Sequence, residues 1–232
     1  QSTWQKVAQQ LPEPAGIFNK TLRVAVQNEL VLPKLDLLAD PNTFISRLQI
    51  LDKDIFKYVR VGESNTRFAQ LKHLMPALLN IEERKFIEQY LKTQGIKVPR
   101  LRGSRFFMLL DKRITRLANG LIFNMKPLVR QRREFEPDLM AAMANNGIEF
   151  SARPPDFILD YDLKLLGKEN QNQWKFLGKL SLLNTFEMPI ITVKNEILEQ
   201  GSTQEIAQAK GMQQLANMAT KQLKEYLINA IK

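Results

Sequence analysis

The chain contains no cysteine. Within these 232 residues that excludes disulfides, zinc–thiolate centres and cysteine nucleophiles. Histidine is almost as scarce. His73 is the only one, and it lies inside a helical pattern. A catalytic dyad or an imidazole-based metal site has little to be built from, so His73 is read as a helix-surface or partly buried residue. The glycines in "GSR" at 103 and "NGL" at 120 are isolated, and neither a G-x-x-x-x-G-K-[ST] loop nor a G-x-G-x-x-G turn occurs. No apolar run approaches the roughly 18 residues a membrane-crossing helix needs. The opening "QSTWQKVAQQLPEPAG" does not resemble a signal peptide, although a mature form freed of its leader would read the same way.

Acidic residues are missing from one stretch in particular. Between Lys97 and Arg133 eleven basic residues face a single acid, Asp111, which accounts for the whole formal charge of +10. The basic residues singled out as contacts are Arg102, Arg105, Lys112, Arg113, Arg116, Arg130, Arg132 and Arg133. Such an asymmetry points to an anionic partner: nucleic acid, lipid headgroups, a cell-wall polymer or an acidic protein. Phe106, Phe107 and Phe123 lie among these cations. Arginine beside aromatic rings is the composition of single-stranded nucleic-acid binding, and it is equally that of core rings with a basic rim. No RNP, helix-turn-helix or KH signature accompanies it.

Periodicity assigns the elements. Residues 1–21, with Pro12, Pro14 and Gly16, read as an extended leader. Leu22, Val24 and Val26 alternate as in a strand that Pro33 ends. Asp40 and Pro41 form a helix start for "DPNTFISRLQIL", and two more helices are expected over 65–95. The second of these would have Asn80, Glu82 and Glu83 at its start and Gly95 as its stop. At Pro99 the character changes. "SRFFMLLDKRI" (104–114) reads as a short buried strand, and Leu121–Phe123 as another within a loop. "EPDLMAAMANNG" is a helix with Leu139, Met140 and Met143 on its apolar face, followed by a short "IEF" strand.

The stretch 155–185 is a β-hairpin. Phe157, Leu159, Tyr161, Leu163 and Leu165 form one face, and Asp160, Asp162 and Lys164 the other. Asp160 and Asp162, with Glu149 or Glu169, offer oxygens to a hard cation. The same alternation describes the solvated face of a sheet, which is the expectation here. A third strand carries Ile191 and Val193, and a Ser202-x-x-Glu205 capping box opens a long amphipathic helix through Leu215, Ala219 and Leu223. The fold class is α+β: a C-terminal α/β sandwich (99–232), its small sheet covered by that helix, behind a mainly helical region (22–98).

The order of a strand, "FEPDLMAAMANNGIEF", "PDFILDYDLKLL", "WKFLGKLSLLNT" and "QEIAQAKGMQQLANMATKQLKEYL" resembles a class of bacterial envelope lipoproteins. The class includes the curli-secretion channel lipoprotein, the penicillin-binding-protein activator and flagellar accessory proteins. The likeness covers about residues 104–232, and "SARPP" replaces a helix usual in the class. The resemblance implies a periplasmic protein tethered to the outer membrane through a lipidated cysteine preceding residue 1. It implies a structural component of secretion or cell-wall machinery, working by protein–protein contact. The expectation is therefore a non-enzymatic component with no cofactor and no metal. Its partners would be other envelope proteins, further copies of itself, and anionic polymer or lipid headgroups. The competing reading is a cytoplasmic nucleic-acid-binding protein using the same basic segment.

Overall fold

The computed structural model describes residues 3–38, 40–58, 66–126, 133–151 and 153–232. It is an α+β protein. The chain forms two compact units, one of residues 1–119 with 230–232 and one of residues 120–229. The units meet in sequence at Asn119 and Gly120, so the residues from 99 to 119, expected in the α/β sandwich, belong to the helical unit.

The first unit holds seven helices among the described residues: α1 (Thr3–Gln10), α2 (Ile17–Val26), α3 (Leu32–Leu35), α4 (Pro41–Asp54), α5 (Arg67–His73), α6 (Met75–Thr93) and α7 (Ser104–Asn119). Three sequence expectations fail here. Residues 1–21 are not an extended leader, because Trp4 anchors α1. Its ring meets Phe44 at 5.6 Å, Tyr90 at 5.2 Å and Phe86 at 6.4 Å. The strand at 22–26 is helix. Phe18, Leu22 and Val26 recur every four residues and are fully buried, whereas Val24 is exposed. Pro33 does not end the run either. Its missing N–H and its ring conflict with an ordinary turn, and the chain widens into a π-helical stretch, Gln27–Val31, where Leu32 N–H donates to Gln27 five residues back.

The strand expected at 104–114 is also helix, α7. Phe107, Leu110, Ile114 and Ala118 are its buried stripe, spaced by three and four. Asp40 caps α4 as expected, its carboxylate accepting from Asn42 N–H. Helix α6 begins at Met75, with Pro76 in its first turn, so Glu82 and Glu83 lie mid-helix and buried. It ends at Gly95, whose φ of +69° suits the left-handed stop.

The second unit is a five-stranded sheet of order β2-β1-β3-β4-β5. Its strands are β1 (Ile122–Met125), β2 (Glu149–Phe150), β3 (Phe157–Asn170), β4 (Gln173–Leu183) and β5 (Pro189–Gln200). β1 runs parallel to both neighbours, and β3, β4 and β5 form an antiparallel meander. Leu159 pairs with Leu182, Tyr161 with Leu180 and Leu163 with Gly178, so these residues share one face. Helix α9 (Gln204–Ile231) covers that face through Leu215, Ala219 and Leu223. Helix α8 (Glu136–Asn145) lies on it too. Tyr161 donates to Glu136 at 2.6 Å, and Lys224 of α9 donates to Asn146 just beyond α8. Burial, reinforced by this bond to a carboxylate, pushes the Tyr161 phenol far above its ordinary pKa.

Details of the second unit differ from the pattern reading. Leu165 and Met140 are exposed, while Asp160, expected in solvent, is buried. The cap of α9 is Thr203 and not Ser202: its hydroxyl accepts from Ile206 N–H at 3.4 Å.

Two glycines set the helix-to-sheet distance. A Cβ on Gly178 would meet Leu215 at 3.1 Å, and one on Gly211 would meet Ile197 at 3.1 Å and Phe176 at 3.2 Å. Gly211→Val forces a branched side chain into that contact and is expected to destabilise the unit by about 1–3 kcal/mol. Amide exchange of β4 and α9 would register it as lost protection, with the helices of the first unit unaffected.

Candidate anion-binding surface

The basic segment divides between the units. Arg102, Arg105, Lys112, Arg113 and Arg116 belong to the first, and Arg133 to the second, in a short 3-10 turn. Arg130 and Arg132 lie outside the described residues. The structure therefore assembles one candidate surface from the first group, and α7 builds it.

At 100° per residue, Arg105, Leu109, Lys112 and Arg116 fall within about 40° of one line along α7, with Met108 beside them. The buried stripe Phe107, Leu110, Ile114 and Ala118 lies on the opposite side. Arg105, Met108, Leu109, Lys112 and Arg116 are all exposed, Met108 by 50% and Leu109 by 48%. No ion pair among the described residues engages Arg105, Lys112 or Arg116. Arg102 is exposed just before the helix, while Arg113 is half-buried and turned toward α5, its guanidinium 3.4 Å from Gln70.

What holds α7 in this rotation is an ionic network, buried at Arg23 and Glu82 and half-buried at Lys85 and Asp111, that the sequence pattern does not reveal. Arg23 of α2, 1% exposed, donates to Glu82 at 2.5 Å and pairs with Asp111 at 2.7 Å. Its remaining donors reach Asn19 and Thr115. Lys85 stands 3.1 Å from both Glu82 and Asp111, and Gln27 donates to Glu82. Asp111, the lone acid of the basic segment, is half-buried and paired with Arg23 and Lys85 at the margin of the basic face, where it lines a shallow depression with Lys112, Thr115 and Arg116. On the other side of α6, Arg47 clamps buried Glu83 with two hydrogen bonds, at 2.5 and 2.9 Å. The available signal was "EERK" (82–85) between Ile81 and Phe86: two adjacent carboxylates in an apolar helix demand buried cations.

The start of α7 is fixed separately. Asp52 accepts from Arg102 N–H at 3.0 Å and Gly103 N–H at 2.8 Å. Arg84 lies over the Phe107 ring at 4.2 Å and donates to Ser104. Phe106 packs edge-on against Phe56 at 4.8 Å, and Phe123 is buried against Phe157 in the sheet. None of the three rings that made base stacking attractive stands free on the basic face.

Elsewhere, candidate chemistry is thin. His73 sits exposed in the last turn of α5. No group of three or more His, Asp or Glu side chains among the described residues is placed to hold a metal ion. Asp162 pairs with Lys164 at 3.3 Å. A depression of about 570 Å³ in the second unit is lined by Leu163, Leu165, Leu166, Phe176, Glu134 and Lys164 among others. No described helix is long and apolar enough to cross a membrane.

Two predictions concern the network. Arg23→Met leaves Glu82 buried without its main partner and is expected to destabilise the first unit by about 3–5 kcal/mol. Adding Glu82→Met should restore part of that loss. Urea unfolding followed by Trp4 fluorescence in a Trp174→Phe background isolates this unit, since the chain has only these two tryptophans. Asp52→Ala removes the acceptor at the start of α7 and is expected to cost about 1 kcal/mol, read as faster amide exchange at residues 102–106 alone.

No family model matches the chain, and no curated protein matches it. Among solved structures, it is similar to a candidate lipoprotein from Caulobacter crescentus CB15, at 13% identity and a TM-score of 0.33, over 46% of this chain and 89% of that one. It is also similar to a minor lipoprotein from Acinetobacter baumannii, at 13% identity and a TM-score of 0.31, over 47% of this chain and 92% of that one.

Proposed function

We propose that this chain is a non-enzymatic accessory component of a bacterial cell-envelope assembly, periplasmic and associated with the outer membrane, that holds an anionic partner through α7. One observation carries the contact: Arg105, Lys112 and Arg116 share an exposed helix face, and the one acid of the helix, Asp111, is paired with Arg23 and Lys85. The envelope setting is supported by the pattern resemblance over about residues 104–232, whose opening strand at 104–114 is helix α7 but whose later helix, meander and closing helix are α8, β3–β5 and α9. In this reading the hairpin of β3 and β4 is scaffold.

The nucleic-acid reading is the weaker one for a physical reason. Its stacking rings are occupied: Phe106 by Phe56, Phe107 beneath Arg84, and Phe123 in the sheet. What remains for nucleic acid is backbone electrostatics alone, which any basic protein supplies.

Fractionation of the cells that make the protein tests the setting. The full-length product is expected with the envelope, released from its partner as salt is raised. Recovery in the cytoplasmic fraction, with sub-micromolar binding to single-stranded or duplex nucleic acid in an anisotropy titration near physiological salt, would replace this function with the competing one.

A further inference from the structure

We propose that the exposed face of α7 is a membrane-surface site that takes the anionic headgroups of a phospholipid bilayer. The inference rests on the reading of α7 as the anion-binding element, and it names the anion. The first argument is composition. Between cations at Arg105, Lys112 and Arg116 the face carries two large aliphatic side chains, Met108 and Leu109, each about half exposed. A soluble polyanion has no use for them: phosphodiesters need cations, and bases need flat rings. A bilayer interface uses both, since headgroups take the cations while the acyl boundary takes the apolar groups between them.

The second argument is geometry. Arg105 and Arg116 are eleven residues apart, about 16 Å along the axis. Lys112 and Leu109 lie between them on the same line. Long basic side chains place their charges out at the headgroup level while their stems lie along apolar surface, so the cations and the two aliphatic groups reach one plane together. The buried stripe on the opposite side keeps α7 in its unit, so the helix meets the membrane as a fixed face and does not insert whole. Contact of this kind is shallow, reversible and screened by salt.

The third argument is the sign of the surroundings. Asp111 is engaged by Arg23 and Lys85. The other cations near the helix start, Arg100 and Arg102, are exposed and extend the positive field beyond Arg105.

Vesicle flotation of the full chain tests this, with phosphatidylcholine vesicles against phosphatidylcholine doped with phosphatidylglycerol, and dextran sulfate as a soluble polyanion. The expected result is co-flotation with anionic vesicles only, weakened on the order of a hundred-fold in R105A/K112A/R116A. M108S/L109S should lose vesicle binding several-fold while keeping its affinity for dextran sulfate. All five positions are exposed, so these variants leave the buried network intact, which circular dichroism checks. Binding to dextran sulfate through the three cations without vesicle binding overturns the membrane site and leaves α7 as an anion-binding element. Binding to neither overturns both. Vesicle binding indifferent to M108S/L109S, or tighter binding to single-stranded nucleic acid that survives it, also overturns the membrane site.

Discussion

The first unit depends on the burial of one guanidinium. Arg23 is 1% exposed, and an ion of that size costs several kcal/mol to remove from water unless each donor finds a partner. Here the partners come from three helices: Asn19 from its own, Glu82 from α6, and Asp111 and Thr115 from α7. Apolar contact alone lets neighbouring helices roll by a fraction of a turn at little cost. A buried ion that must reach two carboxylates and a hydroxyl does not. The rotation of α7 is therefore set by Arg23, and the outward direction of its basic face follows from that.

The network also explains where the charge of the chain resides. Arg23 and Lys85 balance Glu82 and Asp111, and Arg47 is matched to Glu83. Among the described residues of the first unit the buried charges are two of each sign, Arg23 and Arg84 against Glu82 and Glu83, so its positive excess lies at the surface. Asp111, the only acid between Lys97 and Arg133, is half-buried and engaged by Arg23 and Lys85. Its pairing with two other cations leaves Lys112 and Arg116 without an ion pair among the described residues.

The second unit was legible in the sequence because its signals are short in range. The alternation of Phe157, Leu159, Tyr161 and Leu163 survives as the inner face, and the helix expected in "EPDLMAAMANNG" is α8. The first unit was not legible in the same way. Leu22, Val24 and Val26 satisfy a period of two, and only the burial of Phe18 and Arg23 shows that the period is four. Phe106 and Phe107 invite a strand, yet Phe107 belongs with Leu110 and Ile114. Glu82 and Glu83 look like first-turn acids because mid-helix carboxylates are ordinarily solvated, and their cations stand up to 59 residues away. A pattern window does not span such distances. The basic segment was visible as composition, but its sorting into exposed Arg105, Lys112 and Arg116 and half-buried Asp111 and Arg113 required the helix phase.

A comparison within the molecule separates the α7 face from an ordinary solvated one. On the sheet, several lysines are answered locally: Lys175 by Glu196 across the strand pair at 3.0 Å, Lys164 by Asp162 at 3.3 Å, and Lys126 by Glu187, although Lys179 and Lys194 face each other across β4 and β5. Lys168 rests over the Trp174 ring at 5.0 Å. Each exposed pair contributes little to stability, roughly 0–1 kcal/mol, but together they offset part of the positive charge on the sheet. Helix α7 lacks such answers and adds Met108 and Leu109 at its centre. A helix needing only solubility would be better served by interspersed signs and smaller apolar groups. Unpaired cations around exposed aliphatic side chains cost stability through mutual repulsion and hydration of apolar surface, and both costs are relieved when an anionic surface with an apolar layer beneath it is brought against them.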